Sequence, residues 1–138
     1  MSREKGGMMK VRQPLPVEQL RAKRRVLVVD DHSSFRSCAS ALLQTEGFDV
    51  VGEAADGETA VRRAAELAPE IVLLDVQLPD MDGFDVTRRL LEAQPELLVV
   101  LVSSRDRSAY GERIEECGAC GFVTKSDLSG DSLDGVLV

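Results

Sequence analysis

No apolar run in the sequence approaches the roughly 20 residues that a membrane-spanning helix needs, so we expect no transmembrane segment. Cysteine is scarce. Three cysteines, an odd number, with no signal peptide ahead of them disfavour a secreted, disulfide-bonded domain and predict a cytoplasmic location. Positive charge is also in short supply, because 17 Lys and Arg face 24 Asp and Glu. The net charge of −7 argues against a domain whose whole surface binds nucleic acid.

The 138 residues suffice for one domain with a substantial core but are few for two. Eight of the basic residues but only two of the acidic residues lie in residues 1–25, so the remainder is strongly acidic. Glycine and proline interrupt the same stretch, and no apolar periodicity crosses it. We therefore interpret residues 1–24 as a flexible basic arm and residues 25–138 as the folded domain.

Short apolar segments alternate with amphipathic segments five times from residue 25 onward. Several apolar segments, such as RVLVV and LLVVLV, are continuous rather than alternating, which is typical of strands buried on both faces of a parallel sheet. The predicted strands are 25–29, 48–54, 71–74, 97–102 and 121–124. The predicted helices are 33–46, 58–67, 84–93, about 107–117 and 128–137. This alternation predicts an open, doubly wound α/β fold.

Polar residues stand at the carboxyl ends of four predicted strands, the edge at which ligands bind in open α/β sheets. Asp30 and Asp31 follow the first strand, and Asp75 follows the third. Ser103 follows the fourth strand and Lys125 follows the fifth. Three carboxylates this close together repel one another, and a hard divalent cation with oxygen ligands relieves the repulsion. We therefore predict a Mg²⁺ site at this edge.

A phosphoryl group suits such a pocket, because its transfer needs a nucleophile, a metal and donors for the negative charge. Asp75 is the expected nucleophile, since it lies on the central strand and a carboxylate can form an aspartyl phosphate. Asp30 and Asp31 would hold the metal. Ser103 and Lys125 would each bind a phosphoryl oxygen.

Five stretches of the chain resemble the receiver domains of bacterial two-component response regulators. They are VLVVDDH (26–32), EAADGETAV (53–61), IVLLDVQLPDMDGFDV (71–86), VVLVSS (99–104) and GACGFVTK (118–125). Together they cover nearly all of the predicted fold. The resemblance implies a flavodoxin-like fold with strand order 2-1-3-4-5. It is strongest to receivers that often precede a helix-turn-helix output domain.

The resemblance implies roles for the pocket residues. Asp75 would accept the phosphoryl group from a phosphohistidine of a sensor histidine kinase or phosphotransfer protein. Asp75 would also be a ligand of Mg²⁺. Asp31 would bind the ion directly and Asp30 largely through water, and the backbone carbonyl of Gln77 would complete the protein ligands. A module of this kind catalyses its own phosphorylation and is not a conventional enzyme.

The resemblance also implies a switch. Ser103 would move toward the phosphoryl group while Phe122 turns inward, and the side chains of Gln77 and Arg105 would tune the lifetime of the phosphorylated state. The surface of about residues 105–138 would then change and bind a downstream protein, an output domain or a second copy of the chain.

Two other functions match parts of the pattern. One is a receiver-like domain that only binds partners and is never phosphorylated, although such a domain would not need the complete set of pocket residues. The other is a phosphatase-type hydrolase with an aspartyl nucleophile. Hydrolases of that type usually carry a second aspartate two positions after the nucleophile, where this sequence has Gln77.

Several motif-like residues receive plainer interpretations. His32 is a single histidine at a helix start, so we interpret it as a solvated or capping residue. Cys117 and Cys120 have redox spacing, but one pair is too few for zinc and precedes a strand, so we interpret both as small buried residues. Gly57 and Gly83 are interpreted as turn residues, because no G-x-x-x-x-G-K-[ST] sequence is present.

Overall fold

Five parallel strands form one sheet in the order β2-β1-β3-β4-β5 in the computed structural model, which describes residues 24–137. The strands are β1 (Arg25–Val29), β2 (Asp49–Ala54), β3 (Ile71–Asp75), β4 (Leu98–Ser103) and β5 (Gly121–Thr124). The expected fold class and strand order are therefore confirmed. The predicted basic arm lies outside the described residues, apart from Arg24.

The helices cover both faces of the sheet. They are α1 (Ser33–Thr45), α2 (Gly57–Leu67), α3 (Gly83–Ala93), α4 (Arg113–Glu116) and α5 (Gly130–Leu137). One apolar layer joins the sheet to α2, α3 and α4, and the other joins it to α1 and α5. Strand β1 shows why its apolar run is continuous, because Leu27 and Val29 enter the first layer while Val26 and Val28 enter the second.

The predicted helix over residues 107–117 is wrong as a continuous element. A 3₁₀ turn spans Arg107–Ala109, and only Arg113–Glu116 is α-helical. Between them Gly111 has a φ of +59°, a left-handed conformation that a right-handed helix cannot contain. The chain after β4 therefore contains a 3₁₀ turn and a single turn of α-helix rather than one continuous helix.

Carboxylates begin the two helices that flank β3. Asp56 accepts a hydrogen bond from the Thr59 N–H at 2.7 Å, and Asp82 accepts one from the Phe84 N–H at 2.7 Å. Gly57 and Gly83, which we interpreted as turn residues, are instead the first residues of α2 and α3. In the part of the chain that is described, no helix has the length and apolarity to cross a membrane.

Candidate functional site

The carboxylates predicted to converge do meet at the carboxyl edge of the sheet. Asp30, Asp31, His32 and Asp75 each offer one ligand atom, and these atoms lie within 4.8 Å of one another. Strands β1 and β3 are hydrogen-bonded neighbours, with Val29 opposite Leu74, so the residues that follow them are held side by side. The structure thus brings three carboxylates from two strand ends into one pocket.

Lys125 crosses from the far edge of the sheet to this pocket. Its ammonium nitrogen lies 2.6 Å from Oδ2 of Asp30 and 3.2 Å from Oδ2 of Asp75. The same nitrogen sits 4.5 Å from the centre of the Phe35 ring, a cation–π contact that further fixes its position. One cation therefore bridges two buried carboxylates that β1 and β3 would otherwise hold in repulsion.

The two buried carboxylates differ in acidity. Burial, followed by the negative charge of Asp30, raises the pKa of Asp75 to about 6. Burial also acts to raise the pKa of Asp30, but hydrogen bonds from Lys125 and from the His32 N–H outweigh it and lower that pKa below its usual value. The pKa of Lys125 is raised, because its bond to Asp30 and the charge of Asp75 outweigh its own desolvation.

Backbone N–H groups orient both carboxylates. The His32 N–H donates to Oδ1 of Asp30 at 2.8 Å, and the Gln77 N–H donates to Oδ1 of Asp75 at 3.2 Å. Carboxylate oxygens held in this way suit a hard divalent cation, whose positive charge would offset the repulsion among the three carboxylates. The Gln77 backbone therefore lies at the pocket. That its carbonyl oxygen binds a metal ion stays a prediction.

His32 is more closely engaged than the sequence suggested. It occupies the N-cap position of α1, but its side chain makes no capping hydrogen bond. Instead Nδ1 lies 3.1 Å from Oδ1 of both Asp30 and Asp31, while the side chain stays 68% exposed. The only signal for this contact was its position directly after the two aspartates.

Ser103 lies at the end of β4, buried, with its hydroxyl turned to a residue that the sequence did not single out. Its Oγ is 2.7 Å from the hydroxyl oxygen of Tyr110 and accepts a hydrogen bond from the Arg105 N–H at 3.0 Å. Within residues 24–137 these are its hydrogen-bond partners, and the Asp75 carboxylate is not among them. Tyr110 was missed because it falls in the weak predicted helix, although it is the only tyrosine of the chain.

Phe122 already lies inward. Its side chain is buried in the same apolar layer as Tyr110, and the two ring centroids are 5.8 Å apart. Cys117 is buried as expected, but the expectation that Cys120 is buried was wrong, because its side chain is exposed in the loop before β5.

A cleft of about 460 Å³ opens beside the pocket, between the β3–α3 loop and the chain that follows β4. Gln77 and Arg105, the two residues expected to tune the phosphorylated state, line it together. At its far end Nη2 of Arg113 lies 3.2 Å from Oδ2 of Asp82, and the guanidinium stacks 4.2 Å from the Phe84 ring centre. These contacts connect the segment after β4 to the loop that follows Asp75.

The sheet order and its acidic edge define a doubly wound α/β domain with a cluster of carboxylates at the carboxyl ends of its strands. The response regulator receiver domain matches residues 26–131, and the chain belongs to this family, whose members are signalling domains rather than conventional enzymes. It is thus a receiver domain of two-component signal transduction.

Known proteins agree with this assignment. The chain is 40% identical over 102 residues to the response regulator GacA of Pseudomonas viridiflava, an alignment that covers 73% of this chain and 48% of GacA. The receiver domain of the putative regulator NarL from Mycobacterium tuberculosis superposes with a TM-score of 0.72 at 33% identity, over 83% of this chain and 97% of that one. CheY from Borrelia burgdorferi, solved with CheX, BeF₃ and Mg²⁺, gives a TM-score of 0.74 at 27% identity, over 83% and 86%. The chain spans about half the length of relatives such as GacA, BvgA of Bordetella pertussis and PdtaR of Mycobacterium tuberculosis.

Proposed function

We propose that the domain is switched by phosphorylation of Asp75 in a Mg²⁺-dependent reaction, with a sensor histidine kinase or phosphotransfer protein as the donor. The observation that carries the proposal is the bridging position of Lys125, 2.6 Å from Asp30 and 3.2 Å from Asp75. An ammonium group placed between the two acids can bind an incoming phosphoryl oxygen while it keeps its contact with Asp30.

Each pocket residue then has a chemical task. An Asp75 carboxylate oxygen forms a bond to phosphorus as the bond from phosphorus to the donor's imidazole nitrogen breaks. Asp30, Asp31 and Asp75, with the backbone carbonyl of Gln77, would hold the metal, which would supply positive charge to the phosphoryl oxygens. Lys125 binds one phosphoryl oxygen, and the Ser103 hydroxyl binds another after it leaves Tyr110.

The switch would serve a longer regulator. Because the chain spans about half of these relatives, and several of them are named transcriptional regulators, we propose that the receiver controls an output domain that regulates transcription in the cytoplasm. The surface that carries the signal would be the segment after β4, since the ion pair between Arg113 and Asp82 links it to the loop that follows Asp75. A second copy of the chain is the other partner that this surface could bind.

Incubation with acetyl phosphate and Mg²⁺ should add one phosphoryl group to the protein, measured by intact mass spectrometry. Borohydride reduction followed by peptide mapping should locate the group at Asp75. The matched control contains excess EDTA, in which the mass should not change. A mass gain that survives EDTA, or that maps to another residue, would contradict the proposal, and no gain at all would favour a domain that only binds partners.

The apparent affinity for Mg²⁺ should fall about tenfold between pH 7 and pH 5, because protons compete for a carboxylate whose pKa is raised to about 6. Asp30 should not compete in this range, since its pKa is lowered. Calorimetric titration across the range measures the change, and the interval between pH 7 and pH 8, where Asp75 is ionised throughout, is the internal control. An affinity that stays flat down to pH 5 would show that Asp75 is not a ligand.

A further inference from the structure

The Ser103 hydroxyl has a partner that competes with its proposed use. Ser103 Oγ and the Tyr110 hydroxyl are 2.7 Å apart, and both residues are buried, with 4% and 8% of their surfaces exposed. The Arg105 N–H donates to the same serine oxygen at 3.0 Å. A serine hydroxyl has a single hydrogen to donate, so a Ser103 that donates it to Tyr110 must break this bond before it can donate to a phosphoryl oxygen.

Aromatic packing fixes the position of Tyr110, the hydrogen-bond partner of Ser103. The Tyr110 ring lies 5.8 Å from the Phe84 ring in an edge-to-face arrangement and 5.8 Å from the Phe122 ring. Phe84 belongs to α3 and Phe122 to β5, so the phenol ring packs against two separate elements of the fold. Tyr110 cannot follow Ser103 toward Asp75 without breaking this packing.

We propose that Tyr110 is a positioning residue that holds the Ser103 hydroxyl away from Asp75 and so opposes phosphorylation until the bond between them breaks. This inference rests on the proposed function, because it assumes that Ser103 serves the phosphoryl group. Tyr110 sits between the Arg107–Ala109 turn and the left-handed Gly111, so loss of the bond also frees the segment whose surface would change. A partner that binds preferentially when Tyr110 and Ser103 are apart would favour the phosphorylated state. By thermodynamic linkage, phosphorylation would raise the affinity for that partner by the same factor.

Tyr110→Phe tests the inference, since it deletes the hydroxyl and keeps the ring between Phe84 and Phe122. With beryllium trifluoride and Mg²⁺ as the phosphoryl mimic, the variant should bind about fivefold more tightly than the natural protein, the factor expected for one hydrogen bond of ordinary net strength. Its rate of phosphorylation by acetyl phosphate should rise by a similar factor. Calorimetry gives the affinity, and ¹⁹F NMR identifies the bound mimic.

Two comparisons separate positioning from mere packing. In a Ser103→Ala background, Tyr110→Phe should leave the affinity for the mimic unchanged, because the partner of the lost hydroxyl is already gone. Thr87→Val, which removes another buried hydroxyl, bonded to the Gly83 carbonyl at 2.8 Å, should also leave it unchanged. If Tyr110 had only a structural role, Tyr110→Phe would lower the melting temperature without raising the affinity for the mimic.

The outcomes are distinct. Equal or weaker binding by Tyr110→Phe overturns the inference while the natural protein's own binding still supports phosphorylation. Tighter binding that persists in the Ser103→Ala background overturns it as well, because the effect would not pass through Ser103. If the natural protein binds neither the mimic nor a phosphoryl group, the proposed function fails and the inference falls with it.

Discussion

Asp75→Asn should take up no phosphoryl group from acetyl phosphate, a fall in rate of at least about 1,000-fold, because an amide oxygen does not act as the nucleophile. The same substitution should stabilise the fold near neutral pH by on the order of 2 kcal/mol, since the raised pKa of Asp75 means that its ionised form is held at a cost. The substitution also removes the ion pair between Asp75 and Lys125. The gain in stability is therefore smaller than the free energy that corresponds to the full pKa shift. Loss of activity with a gain in stability is the expected combination.

The stability gain should depend on pH with a definite sign. Because the pKa of Asp75 is higher in the folded than in the unfolded state, its penalty is absent below about pH 4 and complete above about pH 7. Urea unfolding of the variant and the natural protein should therefore converge in acid and separate toward neutral pH. Asp49→Asn, an exposed aspartate at the start of β2, is the matched control and should change neither quantity. Phosphorylation of Asp75→Asn at the natural rate would remove Asp75 from the mechanism.

Gly83→Ala should destabilise the fold by about 3 kcal/mol, because the added methyl group has no space. A Cβ at Gly83 would lie 2.6 Å from the Asp75 carbonyl oxygen and 2.8 Å from the Cα of Val76. These are backbone atoms at the end of β3, held by the 2.7 Å hydrogen bond from the Gly83 N–H to the Val76 carbonyl, so they cannot turn aside. The backbone must shift at Asp75, the proposed phosphoryl acceptor, so phosphorylation should slow as well.

Gly135→Ala is the matched control for the loss of a glycine. Gly135 lies inside α5, and a Cβ there would meet nothing within 4 Å, so the change should stabilise the protein by about 0.5–1 kcal/mol through helix propensity. Urea unfolding compares the two variants directly. A Gly83→Ala midpoint equal to that of the natural protein would show that α3 can move away from β3 at no cost.

Most of the fold could be predicted from the sequence, because the apolar pattern of a strand indicates how many of its faces are buried. Continuous apolar runs such as Val26–Val29 need partners on both faces, and only a covered parallel sheet offers them. The chain after β4 was not readable in the same way. Apolar spacing there suggested one helix, and the left-handed φ of Gly111 is a choice of the backbone that composition alone does not decide.

The pocket could be predicted as a set of residues but not as a set of contacts. Strand ends fix which side chains share an edge, so Asp30, Asp75 and Lys125 follow from the topology. The direction in which a short hydroxyl points depends on rings packed from distant elements. The bond from Ser103 to Tyr110, seven residues away in a turn that was predicted as a helix, had no counterpart in the sequence pattern.

The bridge from Lys125 to the carboxylates of β1 and β3 has a consequence for synthesis on the ribosome. Lys125 follows Asp75 by 50 residues, so both acids leave the exit tunnel well before the ammonium group that balances them. At roughly 5–20 residues per second, Lys125 is synthesised some seconds after Asp75, so its ammonium group cannot neutralise the two acids until β5 has been made. Translation therefore completes this pocket last, with the arrival of the final strand.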